Sequence, residues 1–242
     1  SKPIKINQIS YDVTPPLTIS ATDGASGMGR MSFSCDNSTW SSWVSYTTTY
    51  SSFNVRTGAG CTDAEGSKTI YIKYDDNIGN ANSNSNTADV DKVSFTLDQT
   101  APTSNSIEVH DNSWTGGFDN FTNDDTPQFD PISSTGATQM QLNCNGGTWT
   151  SYENYATSKT NFDVNSGSNG CTALDGTKIV NVRFRDEAGN SATASATAFV
   201  LDHVRPVAVQ NAPANLFRYS GADPTLSSTN SDAATSSGIG KC

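Results

Sequence analysis

The chain repeats itself, and the repeat constrains its fold more than any other feature. The stretch CDNSTWSSWVSYTTTYSSFNV, beginning at Cys35, returns as CNGGTWTSYENYATSKTNFDV at Cys144. Cys35 matches Cys144, Trp40 matches Trp149, Trp43 matches Tyr152, Tyr46 matches Tyr155 and Phe53 matches Phe162. Further on, CTDAEGSKTIYIKYDDNIGN from Cys61 matches CTALDGTKIVNVRFRDEAGN from Cys171 without a gap. LDQTAP (Leu97 to Pro102) matches LDHVRP (Leu201 to Pro206). The unit is about 100 residues long, which places repeat one at 1–100 and repeat two at 101–204. Residues 205–242 read as a partial third repeat or a strand-donating tail, because SGIGKC at the end is similar to SGMGRM at Ser26 to Met31.

Alternation within the repeat gives its secondary structure. Met31, Phe33 and Cys35 share one strand face, as do Ile70, Ile72 and Tyr74. Met140, Leu142 and Cys144, then Val180, Val182 and Phe184, are their counterparts in repeat two. Asp76 to Asn80 and Asp186 to Asn190 follow as Gly-Asn turns, where both residues tolerate positive φ. No long segment has apolar residues at helical spacing, and Ser, Thr, Asn, Asp and Gly dominate. The chain is therefore all-β. About seven short strands in about 100 residues is the size of an immunoglobulin-like β-sandwich, here in tandem.

Five cysteines are present, and four occupy equivalent places, Cys35 with Cys61 and Cys144 with Cys171. One pair per repeat predicts one disulfide per domain, closing loops of 26 and 27 residues. By chain entropy each bridge stabilises its domain by roughly 3 kcal/mol. Both second cysteines precede a strand, so the bridge ties a strand to a loop instead of joining two sheets. Disulfides imply an oxidising, extracellular or cell-surface setting. Cys242 has three readings: paired beyond this sequence, paired between molecules, or free.

The net charge is -10, from 14 Lys and Arg against 24 Asp and Glu. Such a surface repels phosphate backbones and excludes nucleic acid as a partner. It suits either bound cations or simple solubility. No apolar run is long enough to span a membrane in this segment. No signal peptide occurs, and Ser1 reads as the start of a processed chain or of a fragment.

Repeat two carries Asp119-x-x-Thr-Asn-Asp124-x-x-Pro127, Gly147-Thr148-Trp149, Asp186-x-Ala-Gly-Asn190 and Leu201-Asp202-x-x-x-Pro206. Together these resemble the bacterial and archaeal Ig-like ("Big") repeats of large extracellular adhesins and cell-surface structural proteins. Repeat one carries three of the four features, with Asp76-Asn-Ile-Gly-Asn80 at the turn and a shorter opening, SYDVTPP. The resemblance implies a non-enzymatic structural repeat of an extracellular stalk, filament, S-layer or adhesin. Its partners are neighbouring domains or subunits, and self-assembly by strand addition through 205–242 is one form this takes. The competing reading of that tail is a fragment of a longer array.

The resemblance also implies calcium at linkers and turns, with Asp98, Asp202, Asp124, Asp125, Asp76 and Asp186 as candidate ligands. The competing reading is that these aspartates cap turns. An enzyme has little to work with: two histidines, no G-x-S-x-G, no H-E-x-x-H and no P-loop. The alternative function is a carbohydrate-binding module of a secreted protein, which would bind surface glycans through exposed aromatic residues. Trp40 and Tyr46 recur in repeat two, which suits core packing. Trp43 is odd-spaced from Trp40 and so expected on the opposite face, leaving Trp43 and Trp114 as the expected exposed aromatics. Asn37-Ser-Thr and Asn120-Phe-Thr are N-glycosylation sequons. Ser/Thr runs at 47–52 and 227–237 offer O-glycan sites, and NANSNSNT at 80–87 is an enlarged hairpin tip relative to repeat two.

Overall fold

The computed structural model describes residues 4–79, 90–110, 121–196, 198–210 and 228–231, with backbone alone for 208–210 and 228–231. Trp114, Asn120, Cys242 and the tract 80–87 lie outside the described residues. Among the described residues there are strands and no helices. Contacts divide the chain into two units. The first runs to Ala101 and takes in Arg185–Ser191; the second runs from Pro102 to Phe184 and resumes at Ala192.

In the first unit a five-stranded sheet has the order Ile9–Ser10, Asp91–Leu97, Gly66–Asp76, Met28–Ser34, Val44–Ser45. Ile9–Ser10 runs parallel to its neighbour, and the remaining pairs are antiparallel. A three-stranded sheet, Ile4–Lys5, Leu17–Ile19 and Thr49–Tyr50, supplies the other layer. Met31, Phe33, Ile70 and Ile72 point inward from the larger sheet and meet Ile4, Leu17 and Ile19 from the smaller. All of these are at most 1% exposed, so the period-two pattern is what separates core from surface.

The second unit repeats the plan. A four-stranded sheet runs Glu153–Asn154, Gln139–Cys144, Val180–Arg185, Ser191–Ser195. Two small sheets accompany it: Phe121–Thr122, Phe199–Leu201 and Gly176–Lys178, and the pair Gln128–Thr135 with Thr103–His110. Phe129, Leu142, Val182, Phe184 and Phe199 form its core. Val207–Gln210 and Ser228–Ser231 pair as a separate antiparallel ribbon.

Cys35 is bonded to Cys61 and Cys144 to Cys171, each with Cα atoms 4.8 Å apart. In both units the bridge joins the end of a core strand to the loop before the next one. The glycine before each second cysteine makes that approach possible. Gly170 has φ of +80°, and a Cβ there would lie 2.0 Å from the Cys144 carbonyl oxygen. Gly60, with φ of +68°, packs in the same way against the Asp36 carboxylate.

Candidate functional site

The outer face of the first unit's large sheet carries its most unusual surface chemistry. Register places Arg30 opposite Asp75 and Ser32 opposite Lys73, all on the face turned away from the core. Beyond Ser34 the chain folds back over this face. Ser41 fastens it: its N–H donates to Phe33 O at 2.8 Å, its Oγ accepts from Phe33 N at 3.0 Å, and its carbonyl accepts from Ser32 Oγ at 2.8 Å. Asp36 shapes the turn by accepting the N–H groups of Thr39 and Ser38, which hold its carboxyl well below the usual carboxylate range.

This path brings Trp40 and Trp43 over the sheet together. Lys73 Nζ lies 4.4 Å from the Trp40 ring centroid and 5.1 Å from that of Trp43. Arg30 Cζ lies 5.4 Å from Trp43, and Arg30 Nη2 pairs with the buried Asp75 Oδ2 at 2.5 Å. The expectation that these two tryptophans face opposite ways fails, because 38–43 is an irregular segment and alternation applies only within a strand. The expectation that Trp40 belongs to the core fails too. Trp40, Trp43 and Trp149 are all half-buried and lie outside both core clusters. Tyr46 and Tyr155 do pack against the cores. Each fixes its hydroxyl on backbone, Tyr46 on Ala21 N at 2.9 Å and Tyr155 on Ser134 N at 3.2 Å.

The second unit has a smaller version of the platform. Arg183 Cζ sits 4.3 Å from the Trp149 centroid, and Thr150 exchanges with Leu142 the two bonds that Ser41 exchanges with Phe33 in repeat one. Tyr152 stands where repeat one has Trp43, and Gln139 where it has Arg30.

The candidate calcium ligands are engaged elsewhere. Oδ1 of Asp76, Asp98, Asp124 and Asp202 each accepts the N–H two residues on, from Ile78, Thr100, Thr126 and Val204 at 2.8 to 3.0 Å. Asp186 Oδ1 accepts from Gly189 N at 2.7 Å and Asn190 N at 2.9 Å. Asp125 faces His203 Nε2 at 3.4 Å. All of these carboxylates except Asp125 close turns, and among the described residues no three acidic, histidine or cysteine side chains gather into a metal-sized group. Asn37 sits at φ of +59° with its side-chain oxygen buried.

Two features escaped sequence reasoning. Lys68 and Lys178 are buried, and each Nζ donates to a threonine carbonyl, Lys68 to Thr62 at 2.7 Å and Lys178 to Thr172 at 2.5 Å. Burial pushes the Lys178 ammonium pKa down, opposed by Asp175, Asp125 and Asp163. Above it His203 Nδ1 lies 2.6 Å from Asp175 Oδ1, and its N–H donates to Asp175 Oδ2 at 2.9 Å. The Asp175 hydrogen bond raises the His203 pKa against a weaker effect of burial, and Asp175 is lowered in turn.

Residues 96–203 match the family described as bacterial Ig-like domain. That segment is a bacterial Ig-like domain. The first unit shares its strand plan, its disulfide and its buried lysine with this Ig-like domain. No curated protein shows a significant match. Among solved structures, the chain is similar to a tetra-tandem repeat from the extending region of a large adhesion protein. The identity there is 18% and the TM-score 0.31, covering 86% of this chain and 51% of that one. It is similar to the fibronectin(III)-like modules of Clostridium thermocellum CbhA at 10% identity and a TM-score of 0.43, covering 82% and 94%. It is also similar to a Ca2+-stabilised adhesin of an Antarctic bacterium that binds ice, at 15% identity and a TM-score of 0.34, covering 83% and 48%. The chain thus spans about half the length of the first of these structures. At such TM-scores none of these likenesses bears on function.

Proposed function

We propose that this chain is a non-enzymatic spacer in an extracellular surface stalk, filament, S-layer or adhesin, with repeats at 1–100 and 101–204 and a partial repeat or strand-donating tail at 205–242. One observation carries the reading: the same disulfide-locked sandwich is built twice in tandem. Repetition of a complete fold adds length, and a covalent bridge inside each copy limits how far it unravels under load. Among the described residues no helix is long and apolar enough to cross a membrane.

The test is immunogold electron microscopy of intact cells, with antibody raised against residues 1–204. Label on surface projections, standing off the envelope, supports the spacer role. Label confined to the cell interior overturns it. A second reading, a carbohydrate-binding module, is favoured by Trp40 and Trp43 standing together on one outer sheet face.

A further inference from the structure

Lys73 is placed as few surface lysines are. It is half-buried, whereas Lys5 and Lys92 are exposed and solvated by water. Its ammonium is flanked by two indoles at 4.4 and 5.1 Å. Among the described residues it forms no ion pair, although Arg30, Arg56 and Lys159 are each matched to a carboxylate. Burial lowers its pKa, a sign that its charged form has lost water without gaining an anion. Indole faces recover part of that loss. They accept no conventional hydrogen bond, so N–H donors of the ammonium remain open.

Asp75, two residues on along the same strand and on the same outer face, is committed to Arg30 through Nε at 3.0 Å and Nη2 at 2.5 Å. The ion pair also holds Arg30 against the Trp43 ring. The result is a cationic, aromatic patch on a chain whose net charge is -10.

We propose that Trp40, Trp43 and Lys73 form a subsite for an acidic sugar, a pyranose carrying a carboxylate, within a surface polysaccharide. The apolar C–H face of the pyranose packs on an indole, and the carboxylate takes the open donors of Lys73 in a charge-assisted hydrogen bond. A neutral sugar supplies the first contact and leaves the ammonium unmatched. An acidic peptide supplies the second without the flat face. The second unit keeps one cation and one indole, Arg183 and Trp149, but has Tyr152 and Gln139 in place of Trp43 and Arg30, so the subsite belongs to repeat one. This inference rests on the carbohydrate-binding reading and is independent of the spacer role.

The experiment uses the full 242-residue chain. Tryptophan fluorescence is titrated with tetragalacturonate, a hyaluronan tetrasaccharide and an α2,8-linked sialic acid dimer, beside neutral cellotetraose and tetraglutamate. At least one acidic sugar is expected to bind, weakening as salt rises, with cellotetraose and tetraglutamate at least tenfold weaker. Lys73→Gln, checked for an unchanged melting curve, is expected to weaken that binding about tenfold, which corresponds to about 1.4 kcal/mol. Trp43→Tyr, the residue of repeat two, is expected to weaken it while leaving the lysine in place. Arg183→Gln is expected to change it less than twofold. Failure of all three acidic sugars to bind overturns the proposal, as does binding that Lys73→Gln leaves unchanged. Equal binding of cellotetraose overturns the acidic subsite while leaving a carbohydrate-binding module standing. Equal binding of tetraglutamate overturns the sugar in favour of an acidic peptide.

Discussion

Removing the second unit's disulfide with Cys144→Ala and Cys171→Ala isolates what the bridge contributes. Both sulfurs are buried, at 0% and 2% exposure, so alanine leaves little new polar surface. The bridge closes a loop of sequence separation 27, and chain entropy puts the stabilisation at about 3 kcal/mol. The native loop is held independently. Lys159 and Phe129 exchange both backbone hydrogen bonds at 2.8 and 2.9 Å, and Val164 N donates to Asp125 O at 2.8 Å. Phe162 and Val164 are packed in the core. The folded domain therefore survives the substitution, and the loss falls on the unfolded chain, which gains freedom. Calorimetry should show the second unit's Tm falling by about 12–24 °C, at about 4–8 °C per kcal/mol for a domain of this size. Urea should show a midpoint lower by about 2 M if m is about 1.5 kcal/mol/M. The first unit, still bridged through Cys35 and Cys61, supplies an internal standard. A loss below about 1 kcal/mol would refute the reasoning, because it would mean that the unfolded chain already keeps these segments together.

The remaining predictions concern the features that hold each sandwich. Gly170→Ala should cost about 2–3 kcal/mol, read as a lower urea midpoint, since the added methyl meets the Cys144 carbonyl at a φ of +80°. Lys178→Met should cost about 1–3 kcal/mol by the same assay, because the charge-assisted bond from the buried Lys178 ammonium to the Thr172 carbonyl is lost. His203 should titrate above the ordinary histidine range by NMR, the bond to Asp175 favouring its charged form. A raised folded pKa means that this contribution is complete below about pH 6.5, the unfolded value, and is lost as pH rises through the folded one. His203→Gln, which copies Gln99 of repeat one, should flatten the fall in Tm of the second unit over that window.

The parts legible in the sequence are those governed by local period or by repetition. Phe33, Ile72, Leu142 and Val182 announce their inward faces because side chains on a strand alternate, and each lies in its predicted core. Lys68 and Lys178 stood in the same alternation, two residues before Ile70 and Val180. Their burial was readable from parity alone, against the rule that lysine stays outside. The tryptophan pair was not readable. Trp40 and Trp43 sit in an irregular return whose direction is set by Ser41 and Asp36, so spacing says nothing about their faces. The contact between His203, Asp175 and Asp125 joins positions far apart in the chain, and only strand pairing across the small sheet brings them together.

The differences between the two units follow the same division. Core positions exchange one apolar residue for another, Phe33 for Leu142 and Tyr74 for Phe184, because packing tolerates shape within a fixed volume. Outer positions exchange chemistry instead: Arg30 with Asp75 becomes Gln139 with Arg185, and Gln99 with Glu65 becomes His203 with Asp175. None of these outer residues lies in either apolar core, so a change there leaves the core packing intact. A tandem array can therefore keep one mechanical frame and give each copy a different surface. The aromatic, cationic face of repeat one and the histidine latch of repeat two are then separate properties, each alterable without unfolding the other. Exchanging Trp43 and Arg30 for Tyr and Gln should leave the melting of the second unit unchanged. Exchanging His203 for Gln should leave the fluorescence of Trp40 and Trp43 unchanged. A cross-effect in either direction would mean that the two surfaces are coupled, and the picture of independent copies would have to be abandoned.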